Sequence, residues 1–156
     1  MATSEAANAY PRDAQRRAEE ELAFLAYHDP LTGLPNRALI EERLEAAVEQ
    51  ASEEKTELSL LYVDLNDFKL VNDSLGHAAG DRLLEQVAAR LQRSLRAGDT
   101  VGRFGGDEFL VVCEDVDGEA GAVDVAERLG TQLRAPFELD GAEVFVTASI
   151  GIALAT

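Results

Sequence analysis

Three carboxylates stand where a metal ion and an anionic ligand could meet. Asp64 ends a nearly continuous apolar run, Leu58 to Val63 (LSLLYV), and Asp107 and Glu108 directly follow Gly105-Gly106. Adjacent glycines allow backbone conformations closed to other residues and leave room above a turn, so a bulky ligand can approach the main chain. Hard oxygen ligands from separate elements, with one side open, are what Mg²⁺ uses when it also holds phosphate. Metal-assisted phosphoryl chemistry is one reading of this pattern. The other is plain structure: a Gly-Gly hairpin followed by acidic residues is a common turn, and Asp64 can cap a helical turn.

Other chemistries find less support. Asp64-Leu65-Asn66-Asp67 starts like a calcium loop, but Phe68 and Lys69 fall where an oxygen ligand and a glycine are needed. There is no Walker A loop and no dinucleotide-binding glycine triplet. The two histidines, His28 and His77, and the single Cys113 form no zinc-type spacing, and Cys113 in an apolar run reads as core. One cysteine also rules out an internal disulfide.

The elements that must position these groups can be read from periodicity. Residues 1–10 are small and polar and read as a disordered tail. A helix follows from Arg12 to Ala26, with Ala14, Ala18, Leu22 and Leu25 along one side. The stretch DPLTGLPN is turn-rich, and Asn36 is placed to cap a helix over 37–51, with Ile40, Leu44, Ala47, Val48 and Ala51 inward. Leu58–Val63 reads as a central strand buried on both faces. A short helical turn over 67–75 and a longer helix over 79–95 come next. The runs 100–104 and 107–113 flank Gly-Gly as a hairpin. Val123, Ala126, Leu129 and Leu133 mark another helix, and a second hairpin turns at Asp140-Gly141 before a final apolar run over 147–154. The expected fold is an α/β (α+β) sandwich, with helices over a mixed, mostly antiparallel sheet.

Composition bounds the partners. The 156 residues carry 14 Lys and Arg against 30 Asp and Glu, a net charge of −16, while 46% of the chain is hydrophobic. That is an ordinary core fraction in an acidic shell. Nucleic acid and anionic membrane surfaces require clustered cations, so neither is an expected partner. No apolar stretch approaches the ~18 residues of a membrane span, and there is no signal-like apolar N-terminus. A reduced, cytoplasmic setting is expected.

Taken together the motifs resemble the GGDEF domain family, the diguanylate cyclases. Arg103-Phe-Gly-Gly-Asp-Glu-Phe109 is similar to the family signature, and Asp29-Pro-Leu-Thr-Gly-Leu-Pro-Asn-Arg37 to its leading motif. Asp64-Leu-Asn-Asp-Phe-Lys69, Val71-Asn-Asp73, Gly76-His77 and Gly80-Asp81 resemble its substrate block, and Arg96-Ala-Gly-Asp99 its inhibitory RxxD motif. The likeness runs in order over about residues 28–155.

The resemblance implies a ferredoxin-like, nucleotidyl-cyclase palm that joins two GTP into cyclic di-GMP and two pyrophosphates. It implies Mg²⁺ or Mn²⁺ held by Asp64, Asp107 and the Leu65 carbonyl. Asp107, with Glu108, would activate the attacking 3′-hydroxyl, and Lys69 would offset phosphate charge. Asn72, His77 and Asp81 would read guanine, with Phe68 and the Gly105-Gly106 backbone also against the nucleotide. Arg96 and Asp99 would bind product as an inhibitory site. A homodimer would be needed for catalysis, with an upstream sensor and a possible downstream phosphodiesterase. Residues 1–27 would be tail and linker helix and 28–156 the domain. The family's last helix, with its Tyr-x-x-Lys-like stretch and basic residues, is expected beyond Thr156, which puts activity of this stretch alone in question. The alternative function is a non-catalytic domain that binds GTP or cyclic di-GMP.

Overall fold

The computed structural model describes residues 2–155, with side chains from Arg12 onward. Eleven elements follow in order: α1 (Ala2–Tyr27), α2 (Arg37–Glu54), β1 (Leu58–Leu65), α3 (Phe68–Leu75), α4 (His77–Ser94), β2 (Thr100–Arg103), β3 (Glu108–Glu114), α5 (Gly118–Arg134), β4 (Phe137–Leu139), β5 (Ala142–Val144) and β6 (Ala148–Ala155).

β1 is the apolar run, and it sits inside the sheet as such a run should. The strand order is β2-β3-β1-β6. β1 pairs antiparallel with both β3 and β6, and β2 with β3. The sheet is thus antiparallel throughout, the limit of the mostly antiparallel sheet expected. β1 and β2 flank β3, and β3 and β6 flank β1, which is the split βαβ arrangement of ferredoxin-like folds.

Strand alternation divides the core in two. Leu61, Val63, Leu65, Phe109, Val111 and Cys113 pack with Leu83, Leu84, Val87 and Leu91 of α4 and Val125, Leu129 and Leu133 of α5. Leu58, Leu110 and Val112 face the other way, onto Ile40, Ala47 and Ala51 of α2. Tyr62 lies on this second side, so Asp64, two residues on, shares the α2 face. α2 begins where Asn36 Oδ1 accepts from the Leu39 amide at 3.1 Å. Arg90 of α4 closes the end of α5 by donating to the carbonyls of Ala135 and Pro136, both at 2.6 Å, with its guanidinium over the Phe137 ring.

Several elements depart from the periodicity. α1 begins at Ala2, not near Arg12, because Ala2, Ala6, Ala7 and Ala9 are strong helix formers. Its Leu22 and Leu25 are exposed among the described residues. α4 starts at His77, and Leu95 is already extended at its end. In α5 the buried stripe is Ala122, Val125, Leu129 and Leu133, while Val123 is exposed. Val123 lies 100° around the helix from Ala122, and the two apolar stripes share Leu129 and Leu133, so spacing alone did not separate them. Val48 of α2 is likewise exposed. The second hairpin turns at Asp140-Gly141 as expected, with φ 54° and 82°, the paired positive values of a type I′ turn. Its two strands are Phe137–Leu139 and Ala142–Val144.

Gly102 on β2 is a packing requirement. A Cβ there would lie 2.8 Å from Ile40 Cβ and 3.0 Å from the Pro35 carbonyl oxygen. Gly102→Ala is therefore expected to lower stability by about 1–3 kcal/mol, the usual cost of overpacking. Urea unfolding measures it, and an unchanged midpoint would refute the close α2–β2 approach.

Candidate active site

Asp64 and Glu108 are directly opposed partners on the β1–β3 ladder. The Leu65 amide donates to the Asp107 carbonyl at 3.1 Å, which extends that ladder one step and draws Asp107 alongside the end of β1. Oxygen atoms of Asp64, Asp107 and Glu108 consequently all lie within 4.8 Å of one another, and all three residues are half-buried. The structure thus brings together the three carboxylates that the sequence singled out, with Leu65 at their side.

The electrostatics are those of uncompensated negative charge. Burial, then the charges of Asp107 and Glu108, pushes the Asp64 carboxyl above its usual range. Tyr62, beside it on the same face, is pushed up to about 12 by its hydrogen bond to Glu108, by burial and by the charges of Glu108, Asp64 and Asp107. Among the described residues no Lys or Arg forms an ion pair with any of the three. A set of hard carboxylate oxygens without an internal cation fits a small divalent ion such as Mg²⁺ or Mn²⁺.

The residues expected to read a nucleotide gather at α3 and the start of α4. Phe68 and Lys69 open α3, Phe68 packed partly on the core and Lys69 exposed. Asn72 follows one turn later. Its Oδ1 is buried without a hydrogen-bond partner, and it lies against Gly80, where any Cβ would overlap the Asn72 amide. An orphaned acceptor is costly unless a ligand or water donates to it. His77 and Asp81 are exposed on the first turns of α4. The turn before α3 is fastened to the start of β6: the Asn66 amide donates to the Thr147 carbonyl at 2.8 Å, and Ser149 Oγ to Asn66 Oδ1 at 3.1 Å.

Arg96 and Asp99 lie apart from this site, before β2, whose four residues span about 13 Å of extended chain. Asp99 Oδ2 accepts from the Arg96 amide at 3.2 Å, and its side chain is 2% exposed against 59% for Arg96. With Arg43, Gln92 and Pro35 they line a cavity of about 400 Å³.

Sequence reasoning gave no role to Tyr62, Asp29 or Arg103. Tyr62 was visible by alternation, two residues before Asp64. The other pair joins segments 74 residues apart. Arg103 Nη1 donates to Asp29 Oδ1 at 3.1 Å and Oδ2 at 3.2 Å, and its Nη2 to the Gly106 carbonyl at 2.8 Å. Asp29 also accepts from the Thr32 amide and hydroxyl at 2.9 and 2.8 Å. Burial opposes its ionisation, but the Thr32 and Arg103 hydrogen bonds and the Arg103 charge outweigh it, holding the carboxyl below the usual 3.8. A depressed native value means the interaction stabilises fully above the unfolded carboxylate range and is lost as pH falls through the native value. Asp29→Asn is therefore expected to flatten the acid limb of stability below about pH 4, as read by thermal melts from pH 7 to pH 2. An acid limb equal to wild type would sink this assignment.

Comparison with known proteins agrees with the geometry. The family described as diguanylate cyclase, GGDEF domain, matches residues 26–156. Over 138 residues, 88% of this chain and 20% of the relative, the sequence is 46% identical to the bifunctional diguanylate cyclase/cyclic di-GMP phosphodiesterase MucR of Pseudomonas aeruginosa. It is 44% identical to the diguanylate cyclase TpbB of the same species, over 90% of this chain and 33% of that one. The chain thus spans a fifth to a third of the curated relatives named here. The solved GGDEF domain of TpbB superposes with a TM-score of 0.79 at 44% identity, covering 81% of this chain and 74% of that one. A sensory box/GGDEF family protein from Caulobacter crescentus gives 0.79 at 42% identity, covering 82% and 83%. The antiparallel palm, the acidic cluster at its glycine turn and these likenesses together place the chain in the GGDEF domain family of diguanylate cyclases.

Proposed function

We propose that residues 28–156 form a diguanylate cyclase domain that condenses two GTP into cyclic di-GMP with release of two pyrophosphates. The observation that carries the reading is the convergence of Asp64, Asp107 and Glu108 within 4.8 Å beside a glycine turn. Asp64, Asp107 and the Leu65 carbonyl hold Mg²⁺ or Mn²⁺, which when bound draws charge off the triphosphate. Asp107, with Glu108, accepts the proton of the attacking 3′-hydroxyl, and Lys69 offsets phosphate charge. Asn72, His77 and Asp81 read guanine: the orphaned Asn72 acceptor suits its ring and amino N–H donors, which adenine does not present in that arrangement. Phe68 and the Gly105-Gly106 backbone complete the nucleotide site.

Two copies of the domain work as an antiparallel pair, each bringing one GTP. Residues 1–27 serve as a linker helix from an upstream sensor, and a downstream phosphodiesterase is a further candidate, supported by the bifunctional name of one relative. No helix among the described residues is long and apolar enough to cross a membrane, and we place the domain in the cytoplasm. Arg96 and Asp99 bind product: the guanidinium grips phosphate or a guanine edge and the carboxylate accepts from guanine donors. Arg96→Ala is then expected to relieve inhibition by cyclic di-GMP without changing the initial rate.

The test is incubation of the chain, extended through the helix expected beyond Thr156, with GTP and Mg²⁺ at high protein concentration, with products separated by chromatography. Cyclic di-GMP that disappears with chelator supports the reading, and none formed overturns it. A second reading, a nucleotide-binding regulatory domain, is favoured by a 39% identical relative from Escherichia coli named only as a cyclic di-GMP phosphodiesterase. It predicts GTP binding by calorimetry without product.

A further inference from the structure

The Arg103 guanidinium has all its principal contacts inside the protein, and they share a direction. Nε donates to the Gly105 carbonyl at 3.2 Å and the Gly106 carbonyl at 3.3 Å, and Nη2 to the Gly106 carbonyl at 2.8 Å. Nη1 is held by both oxygens of Asp29, which is itself fixed by Thr32. Arg103 and Asp29 side chains are only 18% and 15% exposed. A planar guanidinium gripped this way cannot swing out to meet a ligand, so it acts on the turn.

The peptide units supply the consequence. The Gly105 carbonyl shares a peptide with the Gly106 N–H, and the Gly106 carbonyl with the Asp107 N–H. No peptide bond among the described residues is cis. In a trans peptide the N–H points opposite to the C=O. With both carbonyls drawn to Arg103, both N–H groups are turned to the opposite side. Neither has a protein acceptor among the described residues, and a Cβ at Gly106 would meet nothing within 4 Å. Successive outward N–H groups of this kind make an anion-binding concavity. It belongs in part to Asp107, whose carboxylate stands in the acidic cluster.

We propose that Arg103, locked by Asp29, is a positioning residue that aims the Gly106 and Asp107 amides at a non-bridging oxygen of the nucleotide α-phosphate. This rests on the cyclase reading above. The amides then receive charge that develops at the reacting phosphorus, where fixed backbone donors are most effective. Asp107 thereby serves twice, by its side chain and by its main chain.

Sulfur accepts hydrogen bonds poorly, so the separated α-thio diastereomers of GTP test the contact. Wild-type protein, extended through the helix expected beyond Thr156, is first assayed with GTP; failure to make cyclic di-GMP defeats the cyclase reading itself, and this inference with it. In active wild type, one diastereomer is expected to react about 10²-fold more slowly than GTP with Mg²⁺, and Mn²⁺ should not restore it. In Arg103→Lys that ratio should shrink several-fold, with GTP turnover itself reduced in kcat more than in KM. Asp29→Asn, which keeps an oxygen for Thr32, should shift the ratio the same way and serves if the first variant does not fold. Full relief by Mn²⁺ in wild type would assign the oxygen to the metal and overturn the proposal. Equal slowing of GTP and both α-thio isomers in the variants would overturn it too, since a merely structural loss has no preference for oxygen over sulfur.

Discussion

Asp107→Asn should stop product formation, by about 10³-fold or more, while leaving the protein at least as stable as wild type. The two effects have one cause. Asp64, Asp107 and Glu108 hold their oxygens within 4.8 Å of one another, and the Asp64 carboxyl is pushed up by burial and by its two neighbours. In the absence of a divalent ion the cluster is a centre of repulsion, so an isosteric amide relieves it. On the proposed cyclase reading the same charge would hold the ion and accept a proton, and losing such transition-state stabilisation costs about 10²–10³-fold for one group, more where one side chain has two tasks. Chromatographic quantification of cyclic di-GMP, with thermal melts in chelator and in Mg²⁺, checks both halves. Wild type should gain stability from Mg²⁺ and the variant should gain less. A variant that melts well below wild type in chelator would show that Asp107 is structural rather than a ligand.

Gly80→Ala should weaken nucleotide binding without touching the acidic cluster. The Asn72 amide occupies the space where a Cβ at position 80 would stand. Gly80 is helical and buried within α4, so alanine suits its backbone and even favours the helix. The Asn72 side chain, being the flexible party, must leave. Its Oδ1 is buried without a partner, so relocating it removes an acceptor aimed at no protein donor. The expected outcome is a GTP affinity lower by about tenfold to a hundredfold, the worth of one or two hydrogen bonds. Thermal stability should be unchanged or slightly raised. Calorimetric titration with GTP measures it, and Asn72→Ala should give the same loss with no further loss in the double variant. Additive losses would show that Asn72 and Gly80 act separately.

Much of this was legible in the chain because the decisive signals were local. The apolar run before Asp64 announced a central strand, and Gly105-Gly106 between two β-prone runs announced the hairpin that delivers Asp107 and Glu108. The motif order then carried the family. What was not legible depends on contacts between distant segments. Asp29 and Arg103 are 74 residues apart, and each alone is an ordinary loop or strand-end charge. The dependence of Gly80 on Asn72 is a matter of one overlapped volume, which no spacing encodes. The buried face of α5 is not encoded in spacing, because Val123 and Ala122 are both apolar neighbours and only the sheet decides which of them turns inward. The early start of α1 has no periodic apolar stripe to mark it, although alanine needs no partner to favour a helix.

Cys113 gives the fold a use unconnected with its chemistry. It is the single cysteine, fully buried opposite Ser59 one step from the end of the β1–β3 ladder remote from Asp64 and Glu108, and burial pushes its thiol up to about 11. Only the thiolate reacts, so a thiol reagent is held off by both geometry and protonation while that ladder stays closed. The same two strands carry Asp64 and Glu108. The chain therefore contains its own clock for the parting of β1 from β3: the rate at which the sulfur becomes modifiable reports how often the two strands separate along their length, and whatever ties them together slows that clock.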